Sequence, residues 1–157
     1  MKPKIMITAA LGAFLGLLSQ ANAGEKELSK HQVPKTVLEA FEKSHPDAKG
    51  LEFEEETFEG KAAYEVEYKK EGKGYEFLYT ADGSLVQKEE EIDAQSLPDP
   101  VVQAVTKAHP KGKIKEAEKV MKPDGAVTGY EVEIKEGGKE LELELDTSGQ
   151  ILRTERE

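Results

Sequence analysis

The sequence contains no cysteine and no tryptophan, and histidine occurs at only three positions. Without cysteine there is no disulfide, no thiolate metal ligand and no cysteine nucleophile, so the fold has to be stabilised by burial of apolar surface. Cationic residues are also scarce, with 22 Lys and Arg against 32 Asp and Glu and a formal net charge of −10. This balance argues against nucleic acid or an anionic membrane as a partner, because phosphate groups attract Lys and Arg.

Long apolar runs are missing from the chain except at its start. Lys2 and Lys4 precede an uncharged apolar run over residues 5–18, and Ala21-Asn22-Ala23 supplies a small-x-small cleavage pattern. These three features predict a secretory signal peptide over residues 1–23, cut after Ala23. An uncleaved membrane anchor is the alternative, but the apolar run is short for a stable span. We therefore expect a periplasmic or secreted protein that is not inserted in the membrane after cleavage.

The rest of the chain reads as two copies of one unit. The helix-like segment 33–45, which ends at Pro46, returns near Leu97-Pro98 and ends at His109-Pro110. The tetrapeptide Tyr-Glu-Val-Glu at 64–67 returns at 130–133. This duplication predicts repeats over residues 33–92 and 97–157, with a flexible lead-in over 24–32 and a short polar joint between the repeats.

Within each repeat the apolar period changes from that of a helix to that of strands. Proline is tolerated at a helix start, and Val37, Leu38 and Phe41 form an apolar stripe after Pro34. Four alternating segments separated by glycine-containing turns follow, which predicts antiparallel hairpins. The expected fold class is α+β, with two tandem helix-plus-four-strand antiparallel units and the helices packed on one face of the sheet or sheets. Whether the two sheets are continuous is left open by the pattern.

Alternation also predicts which residues share the face opposite the helices. We expect that face to be open to water and acidic, with Glu52 and Glu54 on it and a partner-binding surface formed by Glu65, Glu67, Glu76, Glu131, Glu133, Glu142 and Glu144. Like charges opposite each other on a sheet are destabilising. Either lysines from neighbouring strands neutralise such a face, or the acidic face serves a function.

Several groups of residues resemble metal-binding motifs only superficially. His45 and His109 occupy the same place in both copies, but they lack the spacing of two ligands on one helix and are interpreted as helix-end residues facing the helix dipole. The Asp82-Gly83, Asp124-Gly125 and Ser148-Gly149 turns lack the calcium-loop pattern and are interpreted as hairpin turns. The run at 89–91 is interpreted as a solvated strand end, with a loosely bound cation as the alternative. We predict no cofactor and no transition-metal site.

The order of these elements resembles the PepSY-like family of exported bacterial proteins, which is also described as similar to the β-lactamase-inhibitor protein. The resemblance is carried by Val33-Pro34 and Val37, by the His-Pro helix ends, by the two Tyr-Glu-Val-Glu segments and by the late Asp-Gly and Ser-Gly turns. It implies tandem units, a periplasmic or secreted location and no catalytic residues. In inhibitor-type relatives the open sheet surface engages a partner protein. The absence of cysteine and the glutamate-rich face set this chain apart from the disulfide-bearing inhibitor, so β-lactamase inhibition does not transfer.

The hypothesis that follows is a non-catalytic exported binding module. Its acidic face would dock a basic protein or peptide, such as an envelope protease or hydrolase that it restrains. The alternative is weak binding or buffering of calcium or cationic ligands by clustered carboxylates, since carboxylate oxygens suit hard cations. A third reading is that the glutamates serve only solubility. No nucleophile motif, phosphate-binding loop or distinct acid–base pair indicates an enzyme.

Overall fold

The computed structural model describes residues 26–156. The predicted signal peptide and the first residues of the lead-in lie outside this range. Nine strands and two α-helices are formed in the described residues. The strands are β1 (Lys26–Glu27), β2 (Glu52–Phe58), β3 (Lys61–Lys70), β4 (Lys73–Thr80), β5 (Leu85–Glu91), β6 (Lys113–Met121), β7 (Val127–Glu136), β8 (Lys139–Asp146) and β9 (Ile151–Arg156).

The helices are α1 (Lys35–Ser44) and α2 (Asp99–Ala108). Each follows a proline that serves as its N-cap residue and each ends at a His-Pro pair, because the residue before a proline is disfavoured in helical conformation. The amide of His45 donates to the carbonyl of Phe41 at 2.8 Å, and the amide of His109 donates to that of Val105 at 2.8 Å. The predicted ends of both helices are confirmed to within about one residue, the usual uncertainty of helix boundaries. Neither helix is long and apolar enough to cross a membrane.

All nine strands form one antiparallel sheet in which each strand pairs with its neighbours in sequence. The two copies join edge to edge through β5 and β6, where Lys88 lies opposite Met121 and Glu91 opposite Glu118. The sheet is therefore continuous, and it curls into a half-barrel. The predicted α+β class and the antiparallel pairing are confirmed.

Apolar side chains of the helices and strands form two separate clusters, one in each copy. Val37 and Phe41 of α1 pack in the first with strand residues, and Val101 and Val105 of α2 pack in the second. The buried strand residues of the two clusters are Phe53, Val66, Phe77 and Tyr79 in the first and Ala117, Val132, Ile134, Leu143 and Leu145 in the second. Tyr64, Tyr68, Tyr75 and Tyr130 are partly buried against the same clusters.

The flexible lead-in predicted over 24–32 is wrong for the residues that the structure describes. β1 pairs with β2, so that Glu27 lies opposite Glu54. The amide of Leu28 donates to the carbonyl of Phe53 at 2.8 Å, and the side chain of Leu28 is buried in the first cluster. This one apolar side chain, together with the strand edge offered by β2, anchors the segment.

Candidate metal centre

The predicted sharing of one face by the glutamates is confirmed by the strand register. Glu54 lies opposite Glu65, and Glu133 lies opposite Glu142. We call this side of the sheet the glutamate face; its most buried members are Glu54, Glu56, Glu65, Glu76, Glu89, Glu118, Glu131, Glu133, Glu142 and Glu144. None of these residues belongs to the two apolar clusters beneath the helices.

The prediction that this face is open to water is wrong. Of the seven predicted partner-binding residues, Glu65, Glu76, Glu131, Glu133, Glu142 and Glu144 are between 2% and 8% exposed, and Glu67 is half-buried. Side chains on the inner side of a curled sheet converge. Glu89 on β5 interacts electrostatically with Glu67 on β3 and with Glu144 on β8. In a flat sheet β5 and β8 would be roughly 14 Å apart, three spacings of about 4.8 Å. Curvature therefore buries the carboxylates against one another.

Two groups of three carboxylates form the centre of the glutamate face. One oxygen from each of Glu65, Glu76 and Glu89 lies within 4.8 Å of the others, and the same holds for Glu89, Glu118 and Glu131. Glu89 thus belongs to both groups. The interpretation of residues 89–91 as a solvated strand end is wrong for Glu89, whose side chain is 2% exposed. The position of Glu118 in the second group was not predicted either, although the residue lies in a segment that was predicted to form a strand.

Several carboxylate oxygens at this centre lack a hydrogen-bond donor. Outside the carboxyl groups themselves, neither oxygen of Glu131 has a donor, and one oxygen of each of Glu65, Glu76 and Glu89 has none; Glu131 and Glu89 lie close enough to hydrogen-bond when one of them is protonated. The side-chain amide of Gln87 donates to the other oxygen of Glu89 at 2.9 Å. A buried carboxylate without donors is costly, because it gives up hydration without replacement. The arrangement therefore requires either protons or cations between the carboxylates.

The pKa values of these groups are raised accordingly. Burial is the main cause of the high pKa of Glu131, with the negative charges of Glu89 and Glu142 adding to it. Burial likewise raises the pKa of Glu65, Glu76 and Glu118 well above the ordinary range. It raises the pKa of Glu89 to about 7. Loss of a proton from any one of these carboxyls therefore creates a buried charge that attracts a cation.

A protein cation is present at one edge of the face. Arg153 on β9 donates to Glu144 at 3.0 Å and also pairs with Glu155. Burial still raises the pKa of Glu144 to about 7, although the charge of Arg153 and its hydrogen bond act in the opposite direction. Arginine thus serves this end of the face as a fixed counter-charge, while the two central groups have glutamates as their charged neighbours.

The histidines do not take part in either carboxylate group. The ring of His45 stacks on Phe41 with centroids 4.8 Å apart, and burial lowers its pKa, which favours the neutral imidazole at this helix end. Nδ1 of His109 lies 3.0 Å from the carboxylate of Glu136, consistent with a helix-end role. The two copies therefore use the same histidine position in different ways.

The aspartate turns are hairpin turns, as predicted. The carboxylate of Asp82 accepts hydrogen bonds from the Thr80 hydroxyl at 2.6 Å and from the Ser84 amide at 3.0 Å. That of Asp146 accepts from the amides of Ser148 and Gln150, both at 2.9 Å. Because local donors satisfy these oxygens, the turns need no ion for their structure.

Comparisons with solved structures support the fold. The chain is similar to a protein of Bacteroides eggerthii described as a "putative periplasmic" protein, with 17% identity, a TM-score of 0.61, and coverage of 79% of this chain and 88% of the other. It is also similar to a BLIP-like protein of Bacteroides fragilis, with 18% identity, a TM-score of 0.54, and coverage of 79% and 86%. These likenesses support the fold alone. No curated protein matches the chain.

The family model described as "Putative beta-lactamase-inhibitor-like, PepSY-like" matches twice, over residues 20–87 and 72–153. The two matches correspond to the two copies and together span most of the chain. The chain therefore belongs to the PepSY-like family.

Proposed function

We propose that the protein is a non-catalytic, exported cation-binding module whose glutamate face takes up calcium. The observation that carries this proposal is Glu131. Its side chain is 3% exposed, its oxygens have no hydrogen-bond donor outside the carboxyl groups, and one of them lies within 4.8 Å of oxygens of Glu89 and Glu118. A bound divalent cation supplies the missing partner for all three carboxylates at once. Of the alternatives that the sequence left open, cation binding is the one that this geometry favours.

Calcium fits this environment better than other common divalent ions. Carboxylate oxygens are hard ligands, which disfavours ions that select sulfur or nitrogen. Magnesium keeps several waters and demands a strict octahedron, whereas calcium accepts six to eight oxygens in flexible geometry with carboxylates binding through one oxygen or both. A buried cluster of glutamate side chains therefore suits calcium better than magnesium.

Family membership is in keeping with a binding role rather than catalysis. The inhibitor-like description of the family and the BLIP-like character of the Bacteroides fragilis relative point to binding modules, and the description of the Bacteroides eggerthii relative points to the periplasm. The predicted signal peptide agrees with that location.

Docking of a basic protein or peptide is the second candidate, and the structure gives it less support. A partner would have to reach carboxylates such as Glu65, Glu76 and Glu142, which are 2–4% exposed. A small ion can enter between such side chains with minor movements, whereas a protein surface needs exposed groups to contact.

Thermal unfolding with and without calcium tests the proposed function. At pH 7.5 we expect the chelator-stripped protein to be stabilised by calcium, by about 2.7 kcal/mol at a free concentration one hundred times the Kd. Glu131→Gln should lose most of this gain, because it removes a ligand charge from the centre. Glu39→Gln, a substitution at an exposed residue of α1, is the matched control and should keep the gain. Equal melting temperatures of the wild-type protein in calcium and in chelator would refute cation binding.

A further inference from the structure

We propose that two calcium ions bind side by side, that Glu89 bridges them, and that the second of the two sites exists only because the two copies are joined in one sheet. This inference rests on the proposed function and specifies how many ions bind and which residues hold them. It follows from the positions of the two carboxylate groups, from the internal repeat and from the charge of the centre.

The positions of the carboxylates define two overlapping sites. The first site has Glu65 on β3, Glu76 on β4 and Glu89 on β5, all from the first copy. The second site has the same Glu89 together with Glu118 on β6 and Glu131 on β7, both from the second copy. A carboxylate has two oxygens with about four lone-pair positions, so one side chain can serve an ion on each side.

The repeat shows that the second site depends on the junction. Glu118 and Glu131 on β6 and β7 correspond to Glu54 and Glu65 on β2 and β3 of the first copy, with offsets of 64 and 66 residues. Beside Glu54 the described part of the sheet has the two-residue strand β1, whose Glu27 lies opposite Glu54 but is exposed. Beside the second pair it has β5, which contributes Glu89. The strand that completes the second site therefore comes from the other copy.

A third site at the far end of the sheet is replaced by an arginine. At the offset of 66 residues, Glu89 corresponds to Glu155 and Gln87 to Arg153. The neutral side-chain amide of Gln87 donates a hydrogen bond to Glu89, whereas the charged side chain of Arg153 pairs with both Glu144 and Glu155. The second copy thus has a positively charged side chain at the position where the first copy has an uncharged one.

The number of carboxylates in the two overlapping groups favours two ions over one. The five carboxylates of the two sites carry up to five negative charges when ionised, and their charged neighbours are further glutamates. One calcium would leave about three uncompensated negative charges, and two would leave about one. Because an unpaired buried charge is costly, two ions compensate the ionised centre better than one.

Native mass spectrometry and calorimetric titration of the full chain test this inference. We expect the wild-type protein to bind two calcium ions, and Glu65→Gln and Glu118→Gln to retain one site each, with lower affinity than in the wild-type protein. Glu89→Gln should weaken both sites at least a hundredfold. Glu90→Gln is the matched control, because this neighbour on the same strand faces away from the centre and pairs with Lys119 at 3.0 Å.

The outcomes separate this inference from the proposed function. Absence of calcium binding by the wild-type protein would overturn both. A wild-type stoichiometry of one, or a Glu89→Gln protein that keeps one strong site, would overturn the bridging arrangement and leave cation binding intact. If Glu89→Gln does not fold, Glu65→Gln and Glu118→Gln decide between the models. Two independent sites predict that the unmutated site keeps its original affinity. A bridging Glu89 predicts that the affinity of the unmutated site falls as well.

Discussion

In the presence of a chelator, the protein is expected to be more stable at pH 5 than at pH 8. Burial raises the pKa of Glu89 and of Glu144 to about 7, whereas in the unfolded chain both titrate near the ordinary value of 4.5. The folded state therefore holds protons that the unfolded state has released, so the free energy of unfolding falls as pH rises between these values. A difference of two to three pKa units corresponds to about 3 kcal/mol per group. The effect is opposite to that of ion-paired carboxylates, which lose stability in acid.

Calcium should remove this loss of stability. Metal ions compete with protons for carboxylates, so the stabilisation by calcium should be larger at pH 8 than at pH 5. Urea unfolding at the two pH values, each with calcium and with chelator, measures all four free energies. Glu89→Gln in chelator should show a weaker decline between pH 5 and pH 8, since the amide does not titrate. Higher stability of the chelated wild-type protein at pH 8 would show that the glutamate face is not buried as described.

The second large effect is expected from Gly149→Ala. Gly149 lies in the turn before β9 with φ of 86°, a conformation that costs other residues about 1–2 kcal/mol. A Cβ atom there would lie 2.4 Å from the carbonyl oxygen of Pro100 in the first turn of α2, which adds an overpacking cost of about 1–3 kcal/mol. The free energy of unfolding should therefore fall by about 3 kcal/mol in total.

Two other glycines separate the contributions to this cost. Gly125 has φ of 90° with no atom within 4 Å of the position that a Cβ would take, so Gly125→Ala should show the conformational cost alone. Gly83 repeats the close approach in the first copy, where a Cβ would lie 2.6 Å from the carbonyl oxygen of Thr36, and Gly83→Ala should resemble Gly149→Ala. Equal destabilisation by Gly125→Ala and Gly149→Ala in urea unfolding would mean that the turn does not brace the helix.

Much of the fold could be predicted because its signals are local. Apolar spacing and flanking prolines located both helices, and strict alternation in segments such as 139–145 located strands and assigned their residues to faces. The repeat located equivalent elements in the second copy. The pairing of β5 with β6 could not be predicted in the same way, because the sequence of an edge strand does not specify which strand pairs with it.

The burial of the glutamate face could not be predicted from alternation. Alternation assigns a side chain to a face but does not specify how strongly the sheet curls. Curvature comes from twist and from bulges, and the pairing shifts register at Leu78/Tyr79, Val120/Met121 and Glu144/Leu145. Glutamates expected to point into water therefore point toward one another. The one signal in the sequence was compositional: Glu on successive strands of one face, with few cations in phase with them.

Long-wavelength X-ray diffraction from crystals grown with calcium tests most directly the central claim that the glutamate face binds two calcium ions. Two anomalous peaks are expected within the glutamate face, each about 2.3–2.6 Å from carboxylate oxygens and both in contact with Glu89. Peaks confined to surface turns such as those at Asp82 or Asp146, with the central carboxyls paired only with one another, would contradict it.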